Sequence, residues 1–133
     1  MKVTIIAAVV FALTGTTSAE VYGKCKLAKK MMDVGVPQAQ VPDWVCLGKA
    51  VSGMETSKVT GGNYGIFQIP SDSWCMKGKA GNKCNVKCED LVTKDISLSI
   101  NCAQSIFKEN GFQFWRGWVQ SCKDKPLPDL HDC

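Results

Sequence analysis

Arginine and histidine are almost missing from this sequence. Of its sixteen basic residues only Arg116 is an arginine, and the single histidine, His131, stands two residues from the C-terminus. Proteins that read bases or grip phosphates lean on planar guanidinium forks, so fifteen lysines and one arginine argue against a nucleic-acid partner. A lone terminal histidine likewise argues against a zinc enzyme. Cys84 and Cys88 form a C-x3-C pair, but no second pair or neighbouring histidine completes a tetrahedral site. No apolar run beyond the N-terminus approaches the ~20 residues a spanning helix needs, and there are no repeats or low-complexity tracts. Glycine follows no period, which excludes a collagen-like chain, and 45% hydrophobic content excludes a disordered one. A length of 133 residues suits one domain.

The N-terminus has a different character. Lys2 supplies a positive charge, Val3 to Leu13 an apolar run broken only by Thr4, and Thr17-Ser18-Ala19 the small residues of a cleavage point. Residues 1–19 therefore read as a secretory signal peptide, and residues 20–133 as the mature domain, soluble and exported. Removing Lys2 leaves fifteen basic and twelve acidic groups, a net charge of +3. That balance predicts a weak, salt-sensitive attraction to anionic surfaces. Lys24, Lys26, Lys29 and Lys30 read as a solvated helix face.

Cysteine is what the mature part has in excess. Cys25, Cys46, Cys75, Cys84, Cys88, Cys102, Cys122 and Cys133 all lie within it. Eight cysteines in a short exported chain predict a disulfide frame, although spacing alone leaves 105 pairings open. Consumed in disulfides, they leave no thiolate nucleophile.

The apolar pattern predicts four helices and a hairpin, an α+β architecture. Lys24 to Val34 places Cys25, Ala28 and Met32 on one stripe, with Gly35 as a stop. Asp43 is positioned to cap a second helix carrying Trp44, Leu47 and Val51 before Gly53. Glu89 and Asp90 open a third, with a stripe of Val92, Ile96, Ile100, Ala103 and Phe107 closed by Asn110-Gly111. A short fourth holds Phe112, Trp115 and Val119. Between the second and third, Gly61-Gly62-Asn63 reads as a hairpin turn entering a strand over Tyr64 to Ile69.

Several motifs bear a resemblance to a known family. Asn63-Tyr64-Gly65-Ile66-Phe67-Gln68-Ile69 followed by Trp74-Cys75, Trp44-Val45-Cys46-Leu47, Cys84-x3-Cys88 with Asp95-Ile96 and Cys102-Ala103, and Trp115-x2-Trp118-x3-Cys122 together resemble C-type lysozymes and α-lactalbumins, glycoside hydrolase family 22. The likeness spans essentially the whole mature chain, and the short loops and Leu-Pro-Asp-Leu tail look insect-type. It implies the lysozyme fold and the pairs Cys25–Cys133, Cys46–Cys122, Cys75–Cys88 and Cys84–Cys102.

The family's activity is cleavage of peptidoglycan β-1,4-glycosidic bonds by two carboxyls, one protonated and one ionised. Its acid stands five residues after the second-helix cysteine, and its second carboxylate directly precedes the Tyr-Gly-Ile-Phe-Gln-Ile strand. Here those positions are Val51 and Asn63. Valine has no exchangeable proton, and an amide is no useful nucleophile. Glu55 and Asp72 read as ordinary solvated acids rather than relocated catalytic groups. A backbone N–H that the family offers to the substrate's N-acetyl group is lost at Pro70, Phe114 fills a position usually small, and the segment from Val51 to Asn63 is about five residues shorter than in many relatives. Gln68, Phe114 and Trp115 remain as candidate saccharide contacts, together with Trp74 as an exposed stacking platform; Trp44 and Trp118 read as core. The calcium loop of α-lactalbumins is matched by Asp90 and Asp95, but Ile96 replaces the third acid and Lys94 adds repulsion, so no metal or other cofactor is expected.

The expected function is that of a secreted, monomeric, non-catalytic lysozyme-like protein. It would bind peptidoglycan or chitin-type oligosaccharides at the bacterial surface in innate immune defence. Two alternatives stand beside it: a residually active antibacterial lysozyme, and a protein-interaction module in recognition or regulation.

Overall fold

The computed structural model describes residues 19–133. The predicted signal peptide, residues 1–19, falls outside the described residues but for Ala19. Four α-helices accompany a small sheet: α1 (Lys24–Asp33), α2 (Val41–Ser52), α3 (Ser97–Asn110) and α4 (Arg116–Ser121). Strands β1 (Val59–Thr60), β2 (Asn63–Tyr64) and β3 (Ile69–Pro70) lie between α2 and α3 and pair antiparallel in the order β1-β2-β3. In register, Thr60 faces Asn63 and Asn63 faces Pro70. The turn between β1 and β2 is Gly61-Gly62, with φ of 54° and 80°, the double positive φ that a two-residue hairpin demands and that glycine supplies without strain.

Four disulfides join Cys25 to Cys133, Cys46 to Cys122, Cys75 to Cys88 and Cys84 to Cys102, the pairs that the resemblance implies. The first two tie α1 and α2 to the C-terminal segment; Cys75–Cys88 closes the irregular chain between them on itself, and Cys84–Cys102 fastens that chain to α3. The core centres on Trp44, which is fully buried and meets Phe67, Phe107, Phe112 and Trp115 in edge-on contacts with centroids 4.9–6.0 Å apart. That geometry puts ring edges against ring faces, the favoured arrangement for aromatic quadrupoles. Its indole N–H donates to Gln40 Oε1 at 2.9 Å, so the burial leaves no polar group unpaired.

Several predicted elements shift. In α1 the buried face is Leu27, Ala28 and Met31, while Met32 is exposed. The stripe of Cys25, Ala28 and Met32 does share one side, but it lines an open apolar depression beneath the C-terminal Leu130 and His131. Asp43 lies inside the first turn of α2 rather than capping it, behind Pro42, which is tolerated there because an early helical N–H has no partner anyway. Its carboxylate instead accepts the Trp118 indole N–H at 3.0 Å. Glu89 and Asp90 belong to a separate 3-10 turn (Cys88–Leu91), and α3 starts only at Ser97, where the Asp95 carboxylate accepts the Ser97 N–H and Oγ–H. Those two bonds hold the Asp95 carboxyl below its usual range, the Ser97 hydroxyl first. Phe112 sits in a further 3-10 turn (Phe112–Phe114), and Val119 of α4 is exposed.

Candidate saccharide cleft

Tyr64 to Ile69 is not one strand. Gly65 and Gln68 take φ of 83° and 49°, and the chain between them folds into turns before β3. Gly65 donates its N–H to Lys58 O at 2.8 Å and its carbonyl accepts the Gln68 N–H at 3.0 Å. Only glycine fits there, since a Cβ would fall 2.2 Å from the Leu91 carbonyl oxygen. The turn swings Gln68 back over the hairpin, where Nε2 donates to the carbonyls of Lys58 (3.1 Å) and Gly65 (2.9 Å). Asn63, Gln68 and Pro70 are thereby gathered on one side of the small sheet.

The end of α2 meets this side. Gly53, at φ 63°, closes the helix by donating to Lys49 O. Ser52 is fully enclosed, with Oγ 2.8 Å from Gly48 O and 2.7 Å from Ile66 O while accepting the Met54 N–H. This hydroxyl fastens the last helical turn to the hairpin and leaves its neighbour Val51 half-buried at the edge of the sheet. From the third side come Phe114 and the start of α4. Trp115 is buried and its indole N–H donates to Phe67 O at 2.9 Å. Gly117 lies so close to α2 that a Cβ on it would stand 2.8 Å from Val51 Cγ1.

These three sides enclose a cleft of about 420 Å³, lined by Ala50 and Val51, by Asn63, Gln68 and Pro70, and by Phe114, Trp115, Arg116 and Gly117. The volume is within the range of small-ligand sites. Val51, Asn63 and Gln68 are brought together in it with Phe114 and Trp115, which are far from them in sequence. No carboxylate is among the lining residues, and the single charge there is Arg116. Glu55 and Asp72 are both exposed and outside the lining; Asp72 accepts the Ser73 hydroxyl at 3.0 Å.

Trp74 is not the exposed platform its Ser-Asp-Ser surroundings predict. It is 4% accessible, beneath Lys83, whose Nζ stands 4.8 Å from the ring centroid, and edge-on to Phe114 at 6.3 Å. Lys83 and Phe114, from other parts of the chain, thus cover a residue whose local sequence looks like surface. Trp74 therefore backs Phe114 rather than lining the cleft. Trp118 is half-buried, stacked on Phe112 at 5.3 Å. The lining also contains Arg116 and Gly117, which motif reading overlooks. The signal for the first is that it is the sole arginine of the chain, set directly after Trp115. Among the described residues the one cluster of possible metal ligands is Cys25, Asp132 and Cys133, and two of those sulfurs are joined as a disulfide.

A family model for the C-type lysozyme/alpha-lactalbumin family matches residues 20–133. The chain belongs to this family. It is 40% identical to lysozyme c-1 of Anopheles gambiae over 140 residues, covering 100% of this chain and 99% of that one. It is 38% identical to human lysozyme-like protein 2, covering 91% and 89%. Among solved structures, canine milk lysozyme in its holo-type form superposes with a TM-score of 0.74 at 31% identity, over 80% of this chain and 92% of that one. The lysozyme of Equus asinus gives the same TM-score at 30% identity, over 85% and 95%. The fold is thus the α+β lysozyme fold. Among the described residues no helix of this lysozyme-family chain is long and apolar enough to cross a membrane.

Proposed function

We propose that this member of the lysozyme family binds peptidoglycan or chitin-type saccharides in the cleft without hydrolysing them. On this reading it is exported by the segment 1–19 and acts as a monomer at bacterial surfaces in innate defence. One observation carries the reading: a cleft of lysozyme type whose lining contains no carboxylate. Retaining glycoside hydrolysis needs an acid to protonate the leaving oxygen and a carboxylate on the other side of the scissile bond. By resemblance to the family those positions are Val51 and Asn63. Loss of one proton-transfer group alone lowers rates by about 10²–10⁴, and loss of its anionic partner as well leaves turnover near background. Phe114, Trp115, Asn63 and Gln68 remain as contacts for a sugar, an aromatic edge with amides beside it.

The test pairs two assays on the same bacterial walls. A turbidity assay is expected to stay at the buffer blank, while a pull-down on the insoluble walls retains the protein after a salt wash. Clearing of the suspension well above the buffer blank would overturn the non-catalytic reading. Protein washed off by moderate salt would overturn the saccharide reading and favour a protein-interaction role.

A further inference from the structure

We propose that the cleft selects acidic saccharides over neutral ones, and that Arg116 is the residue that selects them. The inference rests on reading the cleft as a saccharide site and goes on to name its ligand class. Sixteen basic residues contain one arginine, and it stands in the cleft, at the first position of α4 beside Trp115. Its side chain is exposed, and among the described residues it enters none of the ion pairs, which join Lys24 to Asp132, Lys26 to Glu20, Lys29 to Asp33, Lys83 to Glu109 and His131 to Asp129.

A guanidinium presents a planar fork that fits both oxygens of a carboxylate or sulfate, and it is less tightly hydrated than an ammonium. Two ionisable acids in the same cleft would neutralise such a fork and repel an acidic sugar. Here the polar neighbours Asn63 and Gln68 are neutral amides, so the charge of Arg116 is uncompensated. The matching group is an oxyanion borne on a sugar, either the lactyl carboxylate of N-acetylmuramic acid or a sulfate ester.

Calorimetric titration of the mature protein tests this with three probes: neutral chitotriose, a peptide-free oligomer containing N-acetylmuramic acid, and a heparin-type sulfated hexasaccharide. At least one acidic probe is expected to bind roughly tenfold more tightly than chitotriose at low salt, the size of one charge-assisted contact. Arg116→Gln should remove that preference, lowering acidic-probe affinity about tenfold more than it lowers chitotriose affinity, and Arg116→Lys should restore part of it. Lys49→Gln removes an equal charge from the end of α2 but outside the cleft lining; it should change acidic-probe affinity less than twofold. Equal losses from Arg116→Gln and Lys49→Gln would overturn the inference in favour of general attraction to a basic surface. Chitotriose binding as tightly as both acidic probes would overturn it while leaving the saccharide reading intact. Failure of all three probes to bind would overturn both. Which acidic probe binds more tightly identifies the source of the oxyanion.

Discussion

Replacing Val51 by glutamate and Asn63 by aspartate in one chain returns two carboxyls to the cleft, and the consequence can be worked out from what surrounds them. The longer side chain can extend into the open cleft, which half-buried Val51 lines, although Gly117 packs closely against one side of that position. Protonation is the obstacle. A general acid works best with a pKa near the operating pH. An ordinary glutamate titrates near 4.3, so at pH 6 only about one in fifty carries its proton. Arg116 lines the same cleft. A unit charge at about 6 Å with an effective dielectric near 20 favours the ionised form by roughly 2.8 kcal/mol, about two pH units. Exposure of Arg116 to water, together with the opposing carboxylate that Asn63→Asp introduces, trims this to about one unit. The protonated share then falls to about one in five hundred. Pro70 adds a second defect, since it has no N–H to offer an N-acetyl group. The double variant should therefore hydrolyse a neutral chromogenic chitooligosaccharide at least 10²-fold more slowly than an active lysozyme assayed beside it, in line with the loss of general acid catalysis. Adding Arg116→Gln should raise its rate at pH 6 about tenfold and move the acid-dependent limb of the pH profile upward by about one unit. A neutral substrate keeps the effect on the acid separate from any effect on binding. Near-lysozyme rates from the double variant, or a pH profile that ignores Arg116→Gln, would refute this reasoning.

Three further outcomes concern stability. Gly65→Ala combines a left-handed backbone with a Cβ driven into the Leu91 carbonyl, and a loss of about 2–5 kcal/mol is expected from strain and overpacking together; urea unfolding measures it, and an unchanged midpoint would contradict it. The Asp95 carboxyl is held below its usual range by Ser97, so its contribution is present above about pH 4 and disappears as pH falls through the depressed folded value; thermal melts from pH 7 to 2 should show Asp95→Asn less stable near neutrality and converging with the parent in acid. Removing both sulfurs of Cys75–Cys88, thirteen residues apart, should cost about 3 kcal/mol, and removing those of Cys25–Cys133, 108 apart, about 4.7 kcal/mol in the chain-entropy description; chemical denaturation of the two double-alanine variants would show whether that order holds.

What could be read from the chain and what could not divide along physical lines. Trp44, Leu47, Ile100 and Ala103 were legible because a helical stripe reports burial directly. Met31 and Met32 are adjacent and chemically identical, so periodicity alone could not say which faces the core and which the open depression under Leu130. The break in the strand at Gly65 was hidden because its cause, the Leu91 carbonyl pressing on that position, lies in a different part of the chain. The burial of Trp74 is hidden for the same reason: serines and an aspartate surround it locally, while Lys83 and Phe114 cover it from elsewhere in the chain. Val51 and Asn63 emerged from motif spacing, since their neighbours Cys46 and Tyr64-Gly65 set the frame. Arg116 and Gly117 carry no motif, and only proximity to α2 and the sheet reveals what they line.

The bond from the Trp115 indole to the Phe67 carbonyl also sets a mechanical property. It spans from the start of α4 to the turn before β3, bridging two of the three sides that bound the cleft, and it is buried away from competing water. Two sides of the cleft are thus already tied to one another in the ligand-free molecule, and a ligand that needed them to part would have to break this buried bond on entering.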